Sequence, residues 1–303
     1  MCGAVRFSIG LPSDQVEHAA EFVNGDAIAE CAAAFEDMGF DACFVTDHPA
    51  PDAKWFEAGG HHALDPFVAL SFAAAATTRL RLQTHILVLP YRNPLLTAKS
   101  VLSLDVCSGG RLTLGVGPGY LKPEFFALGA DFEQRNEATD EAIDVIRGVL
   151  SSDVFAYDSP RFSSRGTTMQ PPPAQRPAPP IWIGGNSNAA IRRAAARGDG
   201  WVPFPNPASV ARTVRTAHLA SVEDLAERIN RLRDECVAAG RGEPLDICCA
   251  PFTPDADATT LRSEIDRLAD AGVTWCTVGA RNKTSRRAFL DDARRLADVL
   301  LNR

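Results

Sequence analysis

Strand-like and helix-like segments alternate eight times from one end of this chain to the other, and that alternation restricts the fold more than any other feature. Short apolar runs at 5–11, 41–46, 80–88, 111–115, 181–183, 201–202, 245–249 and 273–278 read as strands. Between them, 27–38, 65–76, 94–105, 133–150, 188–197, 222–239, 259–271 and 285–301 read as helices. Punctuation agrees: Gly39 follows the first helix as a C-terminal cap, and Pro66 sits in the first turn of the second. Uninterrupted strand–helix repetition calls for a parallel sheet with helical crossovers. Eight such units in 303 residues fit an α/β fold of the (β/α)8 TIM-barrel type, read as one domain over 1–303. The rival, a doubly wound dinucleotide-binding sheet, requires a G-x-G-x-x-G turn after the first strand, and none is present. One insertion interrupts the pattern between the fourth helix and the fifth strand, over 151–180. Its Pro171-Pro172-Pro173 and Pro179-Pro180 exclude regular helix, because proline lacks the amide donor and clashes with the preceding turn.

The net charge of −7 argues against a nucleic-acid partner, which would need a basic surface. The eight cysteines form no C-x-x-C pair and sit mostly in apolar surroundings, so reduced thiols and a cytoplasmic location are expected. No signal peptide is visible, and the longest apolar stretch, 67–76, is too short to cross a bilayer.

A barrel of this type builds its site from loops at the carboxyl ends of its strands. Those ends carry Thr46-Asp47-His48, Thr84-His85-Ile86, Gly115 to Tyr120, Gly184-Gly185-Asn186-Ser187 and Phe204. The Gly184 to Ser187 stretch opens a helix. Its glycines admit an anion to the backbone and the helix start supplies free amides, although a plain capped turn would look the same. The glycines at 115, 117 and 119 either let a loop bend or leave room for a flat ring. His48 is placed to donate to a ring carbonyl or pass a proton; the plainer alternative is an Asp cap beside a satisfied imidazole. His61-His62 with His48 and Asp52 match no ligand spacing, so no metal is expected. Trp55 and Phe56 read as a lid or substrate wall. Arg281 and Lys283, after the eighth strand, are either a phosphate site or a solvated turn.

Taken together, these segments resemble the luciferase-like superfamily, in particular its coenzyme F420-dependent oxidoreductases. The resemblance covers nearly the whole chain. It is carried by LRLQTHILVLPYRNPLLTAKSVLSLDVCSGGRLTLGVGPGYLKPE (80–124), TDH (46–48) and PPIWIGGNSNAAIRRAAARGDGWVP (179–203). It implies a bulge with a non-proline cis peptide at His85-Ile86, beside Thr84, supporting a bent deazaflavin ring. Asp47 and His48 would lie beside that ring. Gly117, Gly119, Gly184 and Gly185 would meet the cofactor, with Asn186 and Ser187 at its phosphate end. The 151–180 insertion would fold over the barrel mouth. Two departures matter. Tyr120 replaces the acidic glutamate of the sugar-phosphate dehydrogenases, and Phe204-Pro205-Asn206 replaces their sugar-phosphate ligands. With Trp55 and Phe56, these residues imply an apolar or aromatic substrate.

The function so implied is hydride transfer at the deazaflavin C5, with His48 or Tyr120 supplying the proton. An FMN-dependent monooxygenase and a non-catalytic cofactor carrier are the alternatives. A homodimer is expected from the family, and the alanine-rich 65–76 helix would suit close packing.

Overall fold

The computed structural model describes residues 5–206 and 216–301. Its strands are β1 (Arg6–Gly10), β2 (Ala42–Val45), β3 (Arg81–Val88), β4 (Leu112–Gly117), β5 (Phe155–Asp158), β6 (Ser163–Thr167), β7 (Ile181–Gly184), β8 (Gly200–Val202), β9 (Asp246–Ile247) and β10 (Trp275–Val278). All but β5 and β6 form one parallel sheet in the order β10-β1-β2-β3-β4-β7-β8-β9. A parallel bridge from Cys248 to Trp275, with Thr274 N–H donating to Ile247 O (2.9 Å), closes that sheet into a barrel.

Side chains from strands that are not neighbours meet inside it. Trp182 of β7 lies edge-on to Trp275 of β10 with ring centroids 5.4 Å apart, and Gln83 of β3 reaches Cys248 just beyond β9. Such contacts are possible only across an interior, so this is a packed barrel and not a pore. The larger core lies outside, where strand residues such as Ile9, Leu82, Leu114 and Ile183 meet the apolar stripes of the helices.

The helices begin where short polar side chains can satisfy their free amides. Asn24, Asp65, Asn93, Ser187, Ser221, Asp257 and Ser285 each accept a hydrogen bond from an amide in the first turn. The helix Gly25–Met38 ends at Gly39, whose φ of 92° suits glycine. Three short helices, Ala19–Phe22, Ala53–Glu57 and Lys122–Ala127, were not marked by any periodicity in the sequence. Among the described residues no helix is long and apolar enough to cross a membrane. Cys31, Cys43, Cys107, Cys236, Cys248 and Cys249 are free thiols, whereas Cys2 lies outside the described residues.

The 151–180 insertion does not cover the mouth. The helix Arg135–Ser151 descends from the carboxyl end of β4, so the chain that follows it emerges at the opposite end of the barrel. From there β5 and β6 pair as an antiparallel hairpin that runs back along that helix, with Phe155 filling the space above Gly148. Arg161 at the hairpin tip donates to Glu141 (3.0 Å) and to Gln134 at the helix start, and no residue of 151–180 lines the cleft. The proline-rich part then crosses the amino ends of β3 and β4. Gln175 Nε2 donates to Leu112 O, and its Oε1 accepts from Arg81 (3.1 Å). The buried Asp105 holds this crossing by accepting the amides of Ala174 and Gln175.

Candidate active site

The carboxyl ends of the strands surround a cleft of about 480 Å³. Its floor is made by an irregularity in β3. Thr84 pairs with Leu114 but Leu87 pairs with Val116, so β3 carries one residue more than β4 across this step. The extra length is His85-Ile86, whose peptide bond is cis. Ile86 is thereby lifted into the cleft, and the glycines around it make room for it. A methyl group on Gly117 or Gly184 would overlap Ile86 Cδ1, and one on Gly115 would overlap the Thr84 carbonyl. The sequence left open whether these glycines accommodate a bend or a ring. What occupies their space is Ile86, which presents an apolar platform to the cleft.

One end of the cleft is polar and protic. His48 and Tyr120 both line it, with ring centroids 6.1 Å apart. Trp55 lies 4.4 Å from His48 and shields it at the rim without lining the cleft, and His61 completes the aromatic cluster. Burial and the nearby Glu124 carboxylate raise the Tyr120 phenol, which therefore keeps its proton at neutral pH. Asp47 lines the cleft too, but its carboxylate already accepts from Val88 N–H (2.9 Å) and Arg92 (3.0 Å). Burial raises this carboxyl, and Arg92 opposes that effect. His85 packs on Phe44, and burial lowers its imidazole to about 4, so it is neutral at pH 7. Its Nδ1 has no protein partner.

The start of a helix also opens on the cleft. Gly184, Gly185, Ser187, Ala189 and Ala190 line it at the start of the helix Asn188–Arg197, with Thr216 beside them. Gly185 has φ of 118°, a conformation that favours glycine. Arg135 adds a permanent positive charge to the lining, and its guanidinium lies over Phe132, which packs on Phe125.

Of the residues singled out in the sequence, Asp47, His48, His85, Ile86, Gly119, Tyr120, Gly184, Gly185, Ser187 and Phe204 line this one cleft. Others do not. Thr84 is fully buried and donates to Gly115 O (2.7 Å), tying β3 to β4 at the bulge. Asn186 is fully buried as a staple: its amide donates to the carbonyls of Phe204 and Ala217, and its Oδ1 accepts Phe204 N–H. Gly117 lies beneath Ile86. Phe56 stacks on His62 with centroids 4.0 Å apart and is not part of the wall. Arg281 pairs with Asp255 and Lys283 with Asp14, and neither lines the cleft. Arg135, Asn136, Thr216 and the buried Glu124 were missed. Arg135, Asn136 and Thr216 lie outside every motif, whereas Glu124 closes the 80–124 stretch without being singled out; only folding brings them to the site.

The cleft lies at the carboxyl ends of the strands, where barrel enzymes carry their sites. Residues 5–295 match the family model described as luciferase-like monooxygenase, and the chain belongs to that family. The Mycobacterium tuberculosis protein Rv0940c is 33% identical over 231 residues, covering 76% of this chain and 73% of that protein. The FMNH(2)-dependent dimethylsulfone monooxygenase of Pseudomonas putida is 29% identical over 201 residues, covering 65% of this chain and 51% of that protein. Among solved structures, the coenzyme F420-dependent tetrahydromethanopterin reductase of Methanopyrus kandleri superposes with a TM-score of 0.75 at 17% identity, covering 99% of both chains. That likeness shows the same fold. The family comprises F420- or FMN-dependent oxidoreductases and monooxygenases, and this chain is an enzyme of that class.

Proposed function

We propose that this protein is a coenzyme F420-dependent oxidoreductase acting on a small apolar or aromatic organic substrate. The observation that carries the reading is the cleft itself, which Ile86, His48 and Tyr120 line together with the start of the helix Asn188–Arg197. The bound deazaflavin would exchange a hydride with the substrate at C5. The chain's residues do the rest. Ile86 supports the ring, while the amides before Ala190, together with Arg135, take the phosphate. His48 or Tyr120 holds or receives the proton that accompanies the hydride. Trp55 excludes water over His48, and Phe204 adds an apolar wall. His85 lines the cleft, and its Nδ1 is buried without a protein partner.

The test is a fluorescence titration of the purified protein with F420 and with FMN. Micromolar or tighter F420 binding with much weaker FMN binding is the expected result. The opposite preference would replace this reading.

A second reading, an FMN-dependent monooxygenase using molecular oxygen, is favoured by the likeness to the dimethylsulfone monooxygenase. Substrate-dependent oxygen consumption with reduced FMN would establish it.

We further propose a homodimer. Val68 and Phe72 of the helix Pro66–Ala76 and Leu96 of the next helix are exposed apolar side chains, at 57%, 47% and 71% exposure. Light scattering on the wild type and on Phe72→Asp reads the assembly directly, and a monomeric wild type would reject it.

A further inference from the structure

Glu124 is a carboxylate with no exposed surface, and the reading above gives it no task. It sits in the short helix Lys122–Ala127, just after Tyr120. That helix is held by a satellite core in which Phe125 packs with Val88 and Phe132, and Tyr91 lies edge-on to Phe125 at 4.7 Å. With Phe125 fixed there, Glu124 is held inward. Its Oε1 accepts Ala50 N–H (2.9 Å), two residues beyond His48. Its Oε2 accepts the Tyr91 hydroxyl (2.9 Å) and lies 3.4 Å from His48 Nδ1. His48 Nδ1 is buried and has no aligned hydrogen-bond partner. Catalytic hydrogen bonds are often long before ligands bind and tighten afterwards.

A buried carboxylate costs free energy unless its oxygens are satisfied, and here two neutral donors and one imidazole surround it. The proton on an imidazole resides on the nitrogen whose partner accepts it. We propose that Glu124 is a positioning residue for His48: it accepts Nδ1–H, fixes the ring and the backbone at Ala50, and leaves Nε2 as the atom that exchanges a proton in the cleft. Tyr91 braces the carboxylate. Within this arrangement Nε2 accepts a proton when the ring is neutral and donates one when the ring is charged. Glu124 itself touches no reacting atom.

This inference rests on the reading that His48 moves a proton, so the test separates the two. The protein is labelled with 15N-histidine and studied without added cofactor at pH 8, His48 being assigned with His48→Gln. The wild type is expected to show His48 as the Nδ1–H tautomer. Glu124→Gln, which keeps shape and removes charge, should shift it towards Nε2–H, and Tyr91→Phe should shift it less. Unmoved His85 resonances serve as the folding control. In turnover, Glu124→Gln should lower kcat roughly 10–100-fold with little change in KM, and should add little to the loss in His48→Ala. A wild-type Nε2–H tautomer, or one indifferent to Glu124→Gln, would overturn the positioning role. Normal turnover by His48→Ala would instead overturn the proton-transfer reading, whatever the tautomer.

Discussion

The Cδ1 of Ile86 fills the space that a side chain on either Gly117 or Gly184 would need. Three strands therefore share one constraint: the β3 bulge can rise into the cleft only if β4 and β7 carry glycine at their carboxyl ends. Gly184→Ala should cost about 1–3 kcal/mol of stability through overpacking and should push Ile86 towards the ring site. The conservative partner change tests this. Ile86→Val removes one methyl group, and combining it with Gly184→Ala should recover part of the loss in both stability and cofactor affinity. Additive losses in the double variant, measured by denaturation and fluorescence titration, would show that the two residues do not share this space.

His48 and Tyr120 stand together at one end of the cleft, so one of them should dominate proton transfer. A positioned acid or base contributes roughly 10²–10⁴-fold. His48→Ala is expected to lose that factor in kcat while cofactor affinity stays near normal. Tyr120→Phe should lose less if it only orients the substrate. Single-turnover rates of the two variants assign the donor, and a larger loss in Tyr120→Phe would reverse the assignment.

How much of this was legible beforehand follows from the kind of information each feature uses. The eight alternations and the barrel were readable because period and punctuation are local properties of the chain. The bulge at His85-Ile86 was located only through family resemblance, since nothing in the local sequence distinguishes it from continuous strand. The insertion was misplaced because its composition excludes helix without saying which end of the barrel it meets; the descent of the helix Arg135–Ser151 decides that. Glu124 was invisible for a third reason. Its role depends on the satellite core around Phe125, whose members lie at separated positions in the chain. Asn186 shows the converse: a residue with a motif's position spends its side chain on tying Phe204 in place.

Arg135 is expected to act on the phosphate and not on the ring. Its guanidinium lies over Phe132 at 4.0 Å and donates to Phe132 O, which holds it at the cleft wall without neutralising it. Arg135→Met should weaken phosphate-bearing cofactor by about 1.5–3 kcal/mol, the usual range for a hydrogen bond to a charged group, and should weaken a phosphate-free analogue little. Comparing FMN with riboflavin, and F420 with its phosphate-free chromophore, isolates this contribution. Equal weakening of both members of a pair would place Arg135 beside the ring.

Glu36 sets an acid limit on the fold. At the end of the helix Gly25–Met38 its carboxylate accepts the amides of Thr78, Arg79 (2.6 Å) and Leu80 (2.7 Å), and so fixes the turn into β3. Burial raises its pKa, but these amides and the Thr78 hydroxyl outweigh that effect and hold it at about 2, against a usual 4.5. A carboxyl lowered on folding stabilises the native state above its unfolded pKa, and that contribution disappears as pH falls through the folded value. The window is therefore pH 4.5 down to 2. Because the site is partly exposed, solvent screening limits the contribution to about 1–2 kcal/mol. Glu36→Gln should be less stable than wild type by that amount at pH 7, and the difference should shrink steadily across this window. Urea unfolding of both proteins at pH 7, 4 and 3 measures it, and a difference that stays constant with pH would mean that the charge of Glu36 contributes nothing.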